Sequence, residues 1–203
     1  MDINGVLFAE GAKTGPEMID LGLSVKWAKY NIGATGEDTA ESWYGGFYAW
    51  GETETKSDYS WGTYKYGTAS PFRKYDTDGK TILESADDIA TQTYGSNYRM
   101  PTQAELEELI ALPNQWVTDY NSISGLNGRV FTGTNGNTLF IPAAGYFPKS
   151  THRYAGSVCS LWSSSLSSSG HYSAWNLYFD SGRINLSSSN RNAGFSVRCV
   201  SKD

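Results

Sequence analysis

Residues 162–200 read WSSSLSSSGHYSAWNLYFDSGRINLSSSNRNAGFSVRCV, rich in Ser, Asn and aromatics and without a single Lys, Glu, Gln, Met or Pro. Residues 1–149 hold 24 Lys, Glu, Gln and Met together, a density at which 150–200 would carry about eight; it carries none. Three pieces, LWSSS, AWNLYF and GFSVRCV, have strand composition, and DSGRIN reads as a turn. Leu177 and Phe179 alternate with Asn176, Tyr178 and Asp180, so a strand here sends the first pair inward and the others to the opposite face. The chain is thus predicted to end in an antiparallel sheet.

Upstream, TNGN between RVFT and TLFIP is a hairpin signature, because Asn-Gly readily adopts the positive φ that such turns need. YRMPTQAELEELIALPNQW predicts a short amphipathic helix: Thr102 and Glu105 have capping-box spacing, and Leu106, Leu109 and Ile110 line one face before Pro113. SADDIATQTYG predicts a second, with Ser85 as cap and Asp87 and Asp88 in the first turn, where negative charge is favoured. Ile19, Leu21, Leu23, Val25 and Trp27 alternate as one core strand would. Residues 36–67 mix Gly with aromatics without helical period, which predicts short strands and loops pinned by Trp43, Tyr48, Trp50 and Trp61. No structural unit repeats; the Ser triplets are low complexity.

A chain of 203 residues is long enough for one sizeable core. Sparse charge (18%) with abundant aromatics (14%) favours a strand-dominated α+β domain. A net charge of −5 without a basic run argues against a nucleic-acid partner. No apolar run approaches the roughly 18 residues of a membrane span, and MDINGVLFAEGAKTG lacks a signal-peptide pattern, so neither membrane insertion nor a signal peptide is expected. Cys159 and Cys199 form no CxxC and leave two readings open, buried thiols or a disulfide. His152 and His171 read as surface histidines without spaced carboxylate partners. With no Ser/His/Asp set and no paired carboxylates of glycosidase type, the chain reads as a non-enzyme without a cofactor.

DLGLSVKWA, YAWGET, YRMPTQAELEEL, NTLFIPAAGY, LWSSS and GFSVR, in that order, resemble the blocks of the Fibrobacter succinogenes major paralogous domain. The resemblance implies a C-type lectin-like fold in the branch shared with formylglycine-generating-enzyme-like domains. It divides the chain into an N-terminal extension, 1–18, and a C-type lectin-like domain, 19–203, with a variable ligand-binding region at 155–200. The same WSSS to GFSVR ending is similar to that of variable proteins of diversity-generating retroelements, including phage tail-tip receptor-binding proteins of the major tropism determinant type. Such elements rewrite template adenines, and AAY asparagine codons treated so never yield Lys, Glu, Gln, Met or Trp. The depleted segment agrees with that mechanism, although Trp175 falls outside it.

Matched to the family pattern, Trp162, Ser163, Ser164, Ala174, Leu177, Phe179, Ile184, Arg191, Gly194, Ser196, Val197 and Arg198 are framework. The positions implied to display ligand-binding side chains are Val158, Ser160, Ser168, His171, Tyr172, Trp175, Asn176, Tyr178, Asp180, Arg183, Asn185, Ser187, Ser188, Ser189 and Asn192. Cys159, Leu161 and Cys199 depart from the pattern, which bears on loop geometry near residue 159. Cysteines forty residues apart do not match the close pair of the copper-dependent oxidase of this fold, and the calcium-ligating triplets of C-type lectins are absent. The implied function is receptor binding in phage or bacterial surface attachment, on a virion or at a bacterial cell surface, with a cell-surface protein or glycan as partner. A structural decoration protein and a static glycan-binding domain are the alternatives.

Overall fold

The alternating apolar residues at 19–27 build a hairpin instead of one strand. In the computed structural model, which describes residues 15–68 and 70–201, β1 (Met18–Ile19) and β2 (Lys26–Ala28) pair antiparallel, Ile19 opposite Trp27. Gly22 makes the reversal: its φ of 71° is in the left-handed region, and a Cβ there would lie 2.3 Å from Thr134 Oγ1. Leu21, Val25 and Trp27 are still buried, so apolar spacing marked the core correctly and the strand incorrectly. β1 straddles the boundary expected at 18/19; residues 1–14 of the expected extension lie outside the described residues.

Among the described residues the fold is α+β, with three short helices and small antiparallel sheets. β3 (Tyr98–Arg99) and β10 (Val200–Ser201) complete a first sheet of order β1-β2-β10-β3, which joins the two ends of the domain. β4 (Asn114–Val117), β5 (Gly128–Thr132) and β6 (Thr138–Pro142) form a second. The Asn-Gly hairpin joins β5 to β6, with Gly136 at φ 84°. The third sheet, β7 (Cys159–Leu166), β8 (Ser173–Phe179) and β9 (Ile184–Asn190), occupies the compositionally skewed segment. INLSSSN is therefore a strand, and only 180–183 turns, where Asp180 Oδ1 accepts from the Gly182 and Arg183 amides at 2.9 and 3.0 Å. GFSVRCV makes mostly isolated bridges before β10.

The helices follow local chemistry with two corrections. α1 (Ala40–Tyr44), which aromatic-rich loop composition did not predict, is capped by Thr39 and buries Trp43 against Phe140 and Tyr120. Trp61 lies in a 3₁₀ turn, and Tyr48 and Trp50 are core. α2 (Ile89–Tyr94) is capped by Asp88, not Ser85: the Asp88 carboxylate accepts from the Ala90 and Thr91 amides at 2.9 and 3.1 Å and from Met100 N at 2.8 Å. Asp87 sits in the 3₁₀ turn before α2, paired with Lys65 at 2.9 Å and with Lys74, and accepting from Tyr75 Oη at 2.7 Å. Burial opposes its ionisation, but hydrogen bonds from Lys74, Tyr66, Lys65 and Tyr75 outweigh that and hold it well below the usual carboxylate range. No described helix is long and apolar enough to cross a membrane.

α3 (Gln103–Ala111) carries the full capping box, with Thr102 Oγ1 accepting from Glu105 N at 3.3 Å and Glu105 Oε2 from Thr102 N at 2.8 Å. Leu106 and Leu109 pack it on the third sheet through Leu161, Leu177 and Phe179. Replacing Thr102 by Ala should lower stability by about 1 kcal/mol in urea unfolding. For Asp87, a folded-state pKa below the unfolded value of about 3.9 means stability present above that value and lost as pH falls through the folded pKa. Asp87→Asn should therefore lower the urea midpoint at neutral pH and shrink the loss between neutral and acid pH.

Candidate functional site

Pairing register decides which side chains of the third sheet share a face. Ser160 opposes Tyr178, Trp162 opposes Asn176, and Asn176 and Tyr178 oppose Ser187 and Asn185. Side chains alternate along each strand, so Ser160, Trp162, Ala174, Asn176, Tyr178, Asn185, Ser187 and Ser189 share one face. Cys159, Leu161, Trp175, Leu177, Phe179, Ile184 and Leu186 share the other, most of them in the core under α3. A bulge between Trp162 and Leu166 accommodates Ser163–Ser165, which are buried. Their hydroxyls satisfy local backbone: Ser163 Oγ donates to Trp175 O at 2.8 Å, Ser164 Oγ to Pro101 O at 3.2 Å, and Ser165 Oγ accepts from Gln103 N at 3.0 Å.

Two segments cover the polar face. Phe147 and Gly194 exchange backbone hydrogen bonds of 2.9 Å, as do Tyr48 and Phe195 at 2.9 and 3.1 Å, while Trp162 stacks on Phe195 with centroids 4.2 Å apart. Trp162 Nε1 donates to Tyr48 O and Trp50 Nε1 to Ser163 O, both at 2.9 Å, clamping the 48–50 segment to β7. Between sheet and cover lies a cavity of about 440 Å³ lined by Tyr146, Pro148, Ser160, Tyr178, Ser187–Asn190, Asn192, Ala193 and Phe195.

Six of the fifteen expected display positions, Ser160, Tyr178, Ser187, Ser188, Ser189 and Asn192, meet at this cavity. Four of the fifteen are not surface side chains. Val158, Ser160, Asn176 and Asn192 are buried, because the cover closes over their end of the face; the amides of Asn176 and Asn192 donate inward, to Ser187 O and Ser189 Oγ and to Tyr59 O. Asp180 and Arg183 form the β8–β9 turn, 3.1 Å apart, with the guanidinium 4.9 Å from the Tyr178 ring centroid. Asn185 is exposed opposite Tyr178.

The remainder lie elsewhere. Exposed Tyr172 packs edge-on to Phe72 and Trp61, and His171 pairs through Nδ1 with Asp76. His171 is thus partly exposed but has a carboxylate partner, from ninety-five residues away in sequence. His152, the other histidine, is exposed yet stacks on Phe147 at 4.8 Å. Trp175 and Ser168 line a groove on the opposite side of the sheet with Thr81, Ile82, Gln103 and Leu166. The parity of Trp175 with Leu177 and Phe179 carries that signal in the sequence. Tyr146, Pro148, Asn190, Ala193 and Phe195 are the wall residues that sequence pattern missed, since long-range backbone pairing places most of them.

Arg191, fully buried, fixes the end of β9. Its guanidinium carbon lies 4.7 to 5.9 Å from the ring centroids of Phe72, Trp50, Tyr64, Tyr66 and Tyr75. It donates to Tyr64 Oη at 2.9 Å and to the carbonyls of Lys74, Tyr75 and His171 at 2.9 to 3.1 Å. Both cysteines are free and buried; burial pushes their thiols up, Cys199 to about 12, against the lowering influence of Arg198. No group of three or more His, Cys, Asp or Glu among the described residues is placed to hold a metal ion. No protein-family model, curated relative or solved structure matches the chain.

Arg191→Ala should cost roughly 3 kcal/mol or more in unfolding experiments, because it strands several buried acceptors at once. Arg191→Lys should restore only a minor part, since an ammonium cannot reproduce the planar fork.

Proposed function

We propose that this chain is a non-enzymatic ligand-binding protein, with a C-type lectin-like fold and a diversified surface on the β7–β9 sheet. It acts as a retroelement variable protein in phage or bacterial surface attachment, recognising a cell-surface protein or glycan. One observation carries the proposal: the segment depleted of Lys, Glu, Gln and Met coincides with a single sheet that packs Leu161, Leu177 and Phe179 inward under α3 while Ser, Asn and Tyr collect around a cavity on the opposite face. The motif resemblance and the α+β architecture support the fold assignment. A rigid sheet presenting Tyr, Arg, Ser and Asn has the composition of a paratope, in which rings give contact area and small polar groups adapt. Free thiols held protonated by burial make poor nucleophiles, which favours binding over chemistry.

Two patches within the set are separable. Fluorescently labelled protein applied to a panel of bacterial cells should bind a subset, and Tyr178→Ala with Arg183→Ala should abolish that binding. Tyr172→Ala, which belongs to the Trp61–Phe72 cluster, should leave most of it. Binding that survives the double change but is lost through Trp175→Ala would assign the ligand to the opposite face. The gene's flanking DNA tests diversification independently: a second copy of the segment encoding 155–200, differing at adenines and beside a reverse transcriptase gene, is the expected finding.

A further inference from the structure

The cavity on the polar face is chemically selective. None of its lining residues carries a formal charge; hydroxyls and amides come from Ser160, Ser187, Ser189 and Asn192, and ring surface from Tyr146 and Phe195. Asn192 is 6% exposed and its Nδ2 donates to Tyr59 O. Because a carbonyl only accepts, that bond fixes the amide orientation and leaves Asn192 Oδ1 without a protein donor among the described residues. The pattern repeats behind the wall. Asn176 Nδ2 donates to Ser187 O at 3.1 Å and Ser189 Oγ at 2.9 Å, and Asn176 Oδ1 likewise meets no donor.

Both oxygens are sealed from solvent, so a ligand meets the wall hydroxyls instead: those of Ser160, Ser187 and Ser189 can each donate and accept, and a ligand matching them carries O–H or N–H groups of its own. An anion or cation would lose hydration against rings and find no charged side chain in the lining, where the nearby Asp180 and Arg183 already pair with each other. A wholly apolar ligand would leave the serine hydroxyls unmatched. A neutral ring with hydroxyls at its edge and C–H groups on its face meets both demands, exchanging hydrogen bonds with the serine hydroxyls while its C–H groups meet the ring surface of Tyr146 and Phe195. The volume, about 440 Å³, is within the range of small-molecule sites of about 300–1,000 Å³. The geometry points to a metal-independent site for a neutral sugar ring. This inference rests on the proposed ligand-binding role of the β7–β9 face and names its ligand class.

The test is titration of the ¹⁵N-labelled full chain, with EDTA present, using methyl glycosides of glucose, mannose, galactose, rhamnose and N-acetylglucosamine, and of glucuronic acid. At least one neutral glycoside should shift the amide signals of Ser187, Ser189 and Asn192 saturably, and the glucuronide should not. Ser187→Phe, which fills the cavity from a half-buried position, should weaken binding roughly tenfold or more. If that variant loses the native spectrum, Tyr146→Ala serves in its place. No shift with any neutral glycoside, equal shifts with the glucuronide, or a calcium requirement would overturn the inference. Cell binding by the wild type separates the two levels: cells bound through Tyr178 and Arg183 without glycoside shifts would retain the ligand surface and reject the sugar.

Discussion

Arg191 is the residue on which the remaining architecture leans. A guanidinium removed from water needs its five N–H donors matched, and here a tyrosine hydroxyl and three carbonyls take four of them inside a cage of rings. The carbonyls belong to 74–75 and to residue 171, and the rings to 50–75, so one side chain ties the irregular aromatic half of the domain to both ends of the β8–β9 hairpin. The Trp50 and Trp162 indoles add a second tie between the same halves. A region of few regular elements thereby becomes a defined support for the third sheet.

That support explains how serine-rich sequence forms a stable strand. Ser163–Ser165 would be weak strand formers on propensity alone. Buried in the β7 bulge, their short hydroxyls answer nearby carbonyls and amides that larger apolar side chains would leave unpaired. Ser187 and Ser189, with similar composition, stand in the cavity wall instead. Identical triplets thus have opposite roles, and the difference is their position relative to the cover.

Features encoded within a few residues were legible in the sequence: the Thr102–Glu105 capping box, the Asn-Gly hairpin, the Asp180 turn, and the opposed faces of Leu177 and Tyr178. Features set by distant partners were not. Gly22 converts an alternating run into a hairpin because the 133–137 loop packs there, and α1 is a helix because Trp43 finds a pocket of rings. In the candidate site, composition located the sheet but not its cover, so Asn176 and Asn192 read as exposed although buried. Asp76 beside His171 and Tyr146 beside the cavity are invisible in any short window.

Arg191 shares its mode of burial with Arg198, whose guanidinium donates to Asn31 Oδ1 at 2.8 Å and to the carbonyls of Ala28, Lys29 and Phe140. Carbonyl, amide and hydroxyl dipoles hold both cations, joined at Arg191 by ring quadrupoles, and neither forms an ion pair among the described residues. Dissolved salt screens exposed charges over a Debye length of about 10 Å at 0.1 M, and has little access to buried dipole contacts. The two anchors of the domain are thus largely insensitive to screening, so added salt weakens the exposed surface pairs first and leaves these two contacts in place.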